Sequence, residues 1–269
     1  MIVDVRRDWA PLYTAFATAP PNSQVVARLF GEPPTAPLAL IDDPQRPVSL
    51  RLFAETPCRW HGANVLLRAR QIHLENLILV DAQRFDLTVR TELILRSISF
   101  LAENPNAASI KVKAIGRVRF ARCSIEHFYA NSEHHPAPLQ FFATSPKQFK
   151  WIRISRFVHG ITGPMVYISG RGRLEFLDGV TALDHARPIV VSDNPSTSVV
   201  FDEVWGFIGR SAEIVRSPGS GRYPERYAIR RHPIIDDREG LSRALTFHAD
   251  RLLPVDPAWW GERLASRAD

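Results

Sequence analysis

The chain is short of cysteine, of lysine and of long apolar runs, and each shortage removes a class of protein. Two cysteines, Cys58 and Cys123, in 269 residues cannot supply the disulfide framework of a small secreted domain or a cysteine-rich metal site. No stretch approaches the roughly 20 consecutive apolar residues that span a bilayer as a helix. The opening MIVDVRRDWAPLYTAF also lacks the apolar core of an export signal. The expectation is a cytoplasmic protein with no membrane partner. Lysine occurs only at Lys111, Lys113, Lys147 and Lys150, so the formal charge of +6 rests mainly on arginine. An arginine excess follows from a GC-rich genome as readily as from function. Its guanidinium nonetheless suits a bidentate grip on carboxylate or phosphate.

Hydrophobic residues make up 45% of the chain and charged residues 23%, which gives an ordinary buried core and excludes a disordered polyelectrolyte. That apolar content is periodic. An eight-residue frame, apolar–x–apolar–x–x–apolar–x–(apolar or small), appears as IHLENLIL at 72–79, LILRSISF at 93–100 and VRFARCSI at 118–125. It returns as IRISRFVH at 152–159, LEFLDGVT at 174–181 and VVFDEVWG at 199–206. Successive frames begin 21, 25, 34, 22 and 25 residues apart. Alternating pairs precede them: Val65/Leu67, Leu87/Val89, Ile110/Val112, Val166/Ile168 and Ile189/Val191. Alternation marks strands with one buried face, and a period of 20–50 residues marks a solenoid. One coil buries too little to hold itself together, so neighbours must stack.

Two solenoids fit this period. LENLIL and LRSISF echo a leucine-rich repeat, but Ala82 and Glu103 stand where its Asn or Cys is due. The extra strand before each frame favours a parallel β-helix. The pattern over about residues 48–210 resembles the pectate-lyase-like superfamily, which implies an all-β, right-handed parallel β-helix. Residues 1–47 then form an N-terminal cap with irregular strands, residues 48–210 the coils, and residues 211–269 a loop, a last rung near Tyr227–Ile234 and a helical cap over Ser242–Leu253. Asp8 is placed to N-cap a helix through Trp9, Leu12, Tyr13 and Phe16, which Pro20-Pro21 ends. The 34-residue spacing implies an insertion over residues 127–149. Leu50-Arg51-Leu52 reads as an early, imperfect rung.

Positions two, four and five of each frame should point outward. Stacking then gathers Arg96, Arg119, Arg122, Arg153 and Arg156 on one surface, bordered by Glu175, Asp178, Asp202 and Glu203. The preceding strands add Arg68, Arg90 and Lys113. Together Arg96, Arg119, Arg122, Arg153, Arg156 and Lys113 are the candidate substrate-binding residues, for an acidic glycan or other polyanion whose carboxylates guanidiniums would clamp. In the insertion, His127 and Tyr129 are candidate base and acid for β-elimination, because a neutralised carboxylate eases removal of the adjacent proton. Glu133, His134 and His135 match no metal motif, so neither metal nor cofactor is expected. The resemblance also implies paired aspartates, Gly-His-Gly and Arg-Ile-Lys in polygalacturonase-like members. HGITG at 159–163 and WIRIS at 151–155 are only fragments of these, and Asp42-Asp43 and Asp236-Asp237 read as turn residues, so those roles are not carried over. The basic rungs lack the interleaved aromatics that stack nucleic-acid bases. The alternative to a glycan-binding β-helix is a non-catalytic scaffold that assembles with itself or with other proteins.

Overall fold

Three parallel ladders of strands, stacked coil upon coil, define the computed structural model of this chain. The structure describes residues 1–102, 110–114, 116–127, 139–143, 151–159, 166–170, 172–182, 190–192, 198–202, 204–206, 215–216 and 227–231. The first ladder begins with β1 (Ile2–Val5), β2 (Gln24–Leu29) and β4 (Ser49–His61), on either side of β3 (Leu38–Ile41) in sequence. It continues through β5 (Asn64–Val80), β6 (Arg84–Ala102), β8 (Arg117–His127), β10 (Trp151–His159) and β12 (Arg173–Ala182). It ends with β14 (Ser198–Asp202) and β17 (Tyr227–Arg231).

The frame starts fall in one register on this ladder. Ile72 pairs with Leu93, Leu93 with Val118, Val118 with Ile152, Ile152 with Leu174 and Leu174 with Val199. The early rung is real, with Leu50 opposite Ile72, and so is the last, with Val199 opposite Tyr227.

The second ladder takes frame positions six to eight. It runs through the ends of β4, β5, β6, β8, β10 and β12 and then β15 (Val204–Gly206). The third takes the strand before each frame. It runs through β3, the starts of β5 and β6, β7 (Ile110–Ala114), β9 (Leu139–Ala143), β11 (Val166–Ser169), β13 (Val190–Ser192) and β16 (Val215–Arg216). All of these pairings are parallel, as stacking of like coils requires. Three strand segments per coil exclude the leucine-rich repeat.

Between frame positions four and six the chain turns through a left-handed residue. Asn76, Ser97 and Arg122 have φ of 59°, 52° and 55° and lie in one column, between registered neighbours on successive coils. This bend separates the first face from the second. It explains the two consecutive outward positions in the frame: one left-handed residue shifts the inward alternation by one. The inward side chains fuse into a single core. Ile72, Leu74, Leu77, Leu79, Leu93, Leu95, Ile98, Val118, Phe120 and Cys123 are all buried. Phe85 meets Phe100, and Phe120 meets Phe141, edge to face at 5.5 and 5.7 Å, the arrangement aromatic quadrupoles prefer.

The N-terminal end is covered by α1 (Ala10–Thr18), which buries Leu12, Ala15 and Phe16. Several expectations need correction. Trp9, not Asp8, is the N-cap residue; it packs on Trp60 with centroids 5.3 Å apart, while the Asp8 carboxylate accepts from the Ala10 N–H. Tyr13 is 37% exposed and binds the Pro37 carbonyl through its hydroxyl. The cap also contributes a ladder strand, β1. The insertion of residues 127–149 contains β9, a regular third-face strand paired with β7 and β11. On β13, Val190 and Ser192 take the register positions of the inward Val166 and Ile168, so Val191 aligns instead with the outward Tyr167. The expected helix over residues 242–253 lies outside the described residues.

Candidate functional site

The outward side of the first face is where the frame placed most of the candidate residues. At position four, Glu75 pairs in register with Phe53 below and Arg96 above. Its side chain is 14% exposed and collects three cationic or basic neighbours. Arg51 Nη2 donates to Glu75 Oε2 at 2.9 Å, Arg96 Nε lies 3.7 Å from Oε1, and His73 Nε2 lies 3.5 Å from Oε2. Arg51 also lies over the Phe53 ring at 4.8 Å. Burial pushes His73 below the usual imidazole range, and Arg51 and Arg96 push it the same way against the pull of Glu75. His73 Nε2 and Arg51 Nε are buried without hydrogen-bond partners. Arg96, read from the sequence as a substrate clamp, is thus partly engaged by a carboxylate of its own chain.

One coil further, Arg119 stands exposed at position two, in register with Ile94 on one side and Arg153 on the other. Arg153 is followed by Glu175. Arg122 is half-buried in the left-handed bend. Arg156 occupies the equivalent bend of the next coil, between the registered pairs Ala121–Ser155 and Cys123–Phe157. The side chains of Arg153 and Arg156 lie outside the described residues.

Lys113 is exposed on a different surface, the third face, opposite Thr88 and Phe142. Arg68 is exposed on that face opposite Ile41 and Thr88. Arg90 is not an outward cation: it reaches across a coil to the buried Asp42, Nη2 to Oδ1 at 2.8 Å. Asp42 therefore does more than serve a turn, unlike Asp43, whose carboxylate accepts from Gln45 N–H in the turn closed by Arg46 N–H to Asp43 O.

The backbone of His127 ends β8 on the second ladder, opposite Ala102, whereas Arg96, Arg119 and Arg153 belong to the first. Its side chain, and the whole of Tyr129, Glu133, His134 and His135, lie outside the described residues. Among the described residues no group of three or more His, Cys, Asp or Glu could hold a metal ion, and no helix is long and apolar enough to cross a membrane. The thiols are poor nucleophiles: burial raises Cys58 to about 11 and Cys123 to about 12.

The sequence reading missed the hub at Glu75. The signal was available, because placing Leu50-Arg51-Leu52 in frame puts Arg51 directly beside His73 and one diagonal from Glu75. It could not anticipate the partnership of Asp42 and Arg90, which are 48 residues apart and outside the frame. Comparison with family models, with curated proteins and with solved structures finds no match to this chain.

Proposed function

We propose that this parallel β-solenoid binds an acidic polysaccharide along the outward side of its coils, the kind of ligand and architecture associated with the pectate-lyase-like superfamily. One observation carries the reading. Backbone register sets Arg119 directly against Arg153, and places Arg122 and Arg156 in the same bend of adjacent coils. Neighbouring coils are about 4.8 Å apart, so arginine positions repeat along this side of the solenoid at a regular interval. A chain of regularly spaced carboxylates would gain charge-assisted hydrogen bonds from guanidiniums repeated in this way. The reading is of a binding protein. Cleavage by β-elimination asks in addition for a base beside the arginines, and His127 ends a strand of the neighbouring face.

Affinity electrophoresis through gels containing polygalacturonate or alginate tests this. Retardation is expected at low ionic strength and should fade as salt shortens the Debye length towards ~3 Å at 1 M. Arg119→Gln with Arg153→Gln should weaken it several-fold. Absence of retardation at low salt, with self-association in solution, would put the assembling scaffold in its place.

A further inference from the structure

The third face carries a different combination of groups from the first. Its outward columns follow from register. Asp86, Lys111, Gln140 and Tyr167 align in one, and Thr88, Lys113, Phe142 and Ser169 in the next. Lys111 and Lys113 are exposed, and no described carboxylate pairs with either. Asp86, the acid in register with Lys111, is held by Arg84 at 2.8 Å. Phe142 and Tyr167, both half-buried, meet with centroids 6.1 Å apart and planes tilted by 56°. Gln140 stands between Lys111 and Tyr167, is 6% exposed, and its amide has no hydrogen-bond partner among the described residues. In that outward column the amide stands where it can exchange hydrogen bonds with a ligand held between the lysines and the ring pair.

Taking the polysaccharide reading as its basis, we propose that Lys111, Lys113, Gln140, Phe142 and Tyr167 form a subsite for one uronic-acid residue of the glycan. The apolar C–H face of the sugar ring rests on the Phe142–Tyr167 pair. Its carboxylate meets the two ammonium groups, and a ring hydroxyl exchanges a hydrogen bond with Gln140. The tilt of the two rings favours a single saturated ring over the serial parallel stacking that a nucleic-acid strand needs. The subsite is continuous with the arginines, since Lys113 and Arg119 flank the same corner of one coil, on either side of Gly116. The glycan would then pass round that corner, held by charge on the first face and by its ring on the third.

The test uses the full chain and three probes: oligogalacturonate, poly-L-glutamate (carboxylates without sugar rings) and single-stranded poly(dT). Titration calorimetry compares wild type with Phe142→Leu, Tyr167→Leu, the pair Lys111→Gln/Lys113→Gln, and the first-face pair Arg119→Gln/Arg153→Gln. The leucine variants keep apolar volume, and circular dichroism with a thermal melt checks their folding. The subsite predicts a loss of about tenfold or more in oligogalacturonate affinity for each leucine variant, with polyglutamate binding unchanged. The lysine pair should lose both. Wild-type binding of oligogalacturonate that survives Phe142→Leu and Tyr167→Leu but not the arginine pair would overturn the subsite and leave the polysaccharide reading standing. No wild-type binding of oligogalacturonate would overturn both, and tighter binding of poly(dT) that depends on Phe142 would make the site one for nucleic acid.

Discussion

Arg90 and Asp42 meet across an intervening coil, with the guanidinium 2.8 Å from a carboxylate whose side chain is wholly buried. Arg90 ends a third-face strand segment, Asp42 follows β3, and the coil of β5 separates them. Desolvation raises the Asp42 pKa, against the pull of Arg90, of the Val48 N–H and of Arg68. Its second oxygen, Oδ2, has no partner. Removing the cation should therefore leave a buried, uncompensated charge. Arg90→Met is expected to cost about 3 kcal/mol, read as a lower denaturant midpoint. Asp42→Asn should cost less, because the amide oxygen still accepts from Arg90. A raised folded-state pKa means that the native state holds the proton more tightly than the unfolded chain. Wild-type stability relative to Asp42→Asn should thus fall as pH rises from the unfolded value near 3.8 through the raised one.

His73 has the opposite sign of pH dependence. Its folded pKa is lowered, chiefly by burial, so the unfolded chain binds the proton first as pH falls. Its contribution is intact above pH ~6.5 and is lost progressively as pH falls from there through the folded pKa. Urea unfolding at pH 7.5 and pH 5.5 should show a drop for the wild type that is smaller in His73→Gln. An equal drop in both would contradict the assignment.

The left-handed column offers a test of the bends. Asn76 is well suited to positive φ, and its Nδ2 donates to the Ala54 carbonyl of the preceding coil at 2.9 Å. Asn76→Ala loses that bond and places an ordinary side chain in the left-handed region, a combined cost of about 2 kcal/mol. Arg122 has φ of 55° without the local hydrogen bonding that suits asparagine to this region. Arg122→Asn should raise stability by about 0.5 kcal/mol, measured as a shift in denaturant midpoint.

Gly116 sits where the chain passes from the third face to the first. A Cβ there would run into the backbone carbonyl of Thr91 on the adjacent coil, which cannot swing aside as a side chain would. Gly116→Ala should cost roughly 2–3 kcal/mol, visible as a lowered melting temperature. An unchanged melt would mean that the corner has room the coil spacing does not suggest.

Burial of the thiols gives a chemical check on the core. Cys123 is buried beneath the first bend with Sγ 3.5 Å from the Leu95 carbonyl, and its pKa is raised to about 12. A thiol reagent at pH 8 should leave it unmodified in the folded protein and label it in denaturant. Cys58, half-buried and raised to about 11, should react slowly.

The stacking of coils was legible because it depends on a one-dimensional signal. Inward positions must be apolar on every coil, so the period and even the register of Ile72, Leu93, Val118, Ile152, Leu174 and Val199 are written in the chain. The third-face strand β9 was not, because LQFFA carries apolar residues on both faces and shows no clean alternation. The N-cap was displaced by one residue because Trp9 is fixed by its contact with Trp60, a contact between distant segments.

By itself, then, the sequence determined which side chains turn inward, and with them the solenoid and its outward columns, since burial of apolar surface enforces a periodicity that no other fold shares as well. Only the tertiary structure decided which outward charges remain available. Glu75 engages Arg51 and Arg96, Asp42 engages Arg90, and Lys111 and Lys113 stay open beside Phe142 and Tyr167. These ion pairs and the Phe142–Tyr167 ring contact form between coils, between residues more than twenty apart in sequence, and their partners follow from where the chain returns rather than from any pattern along it.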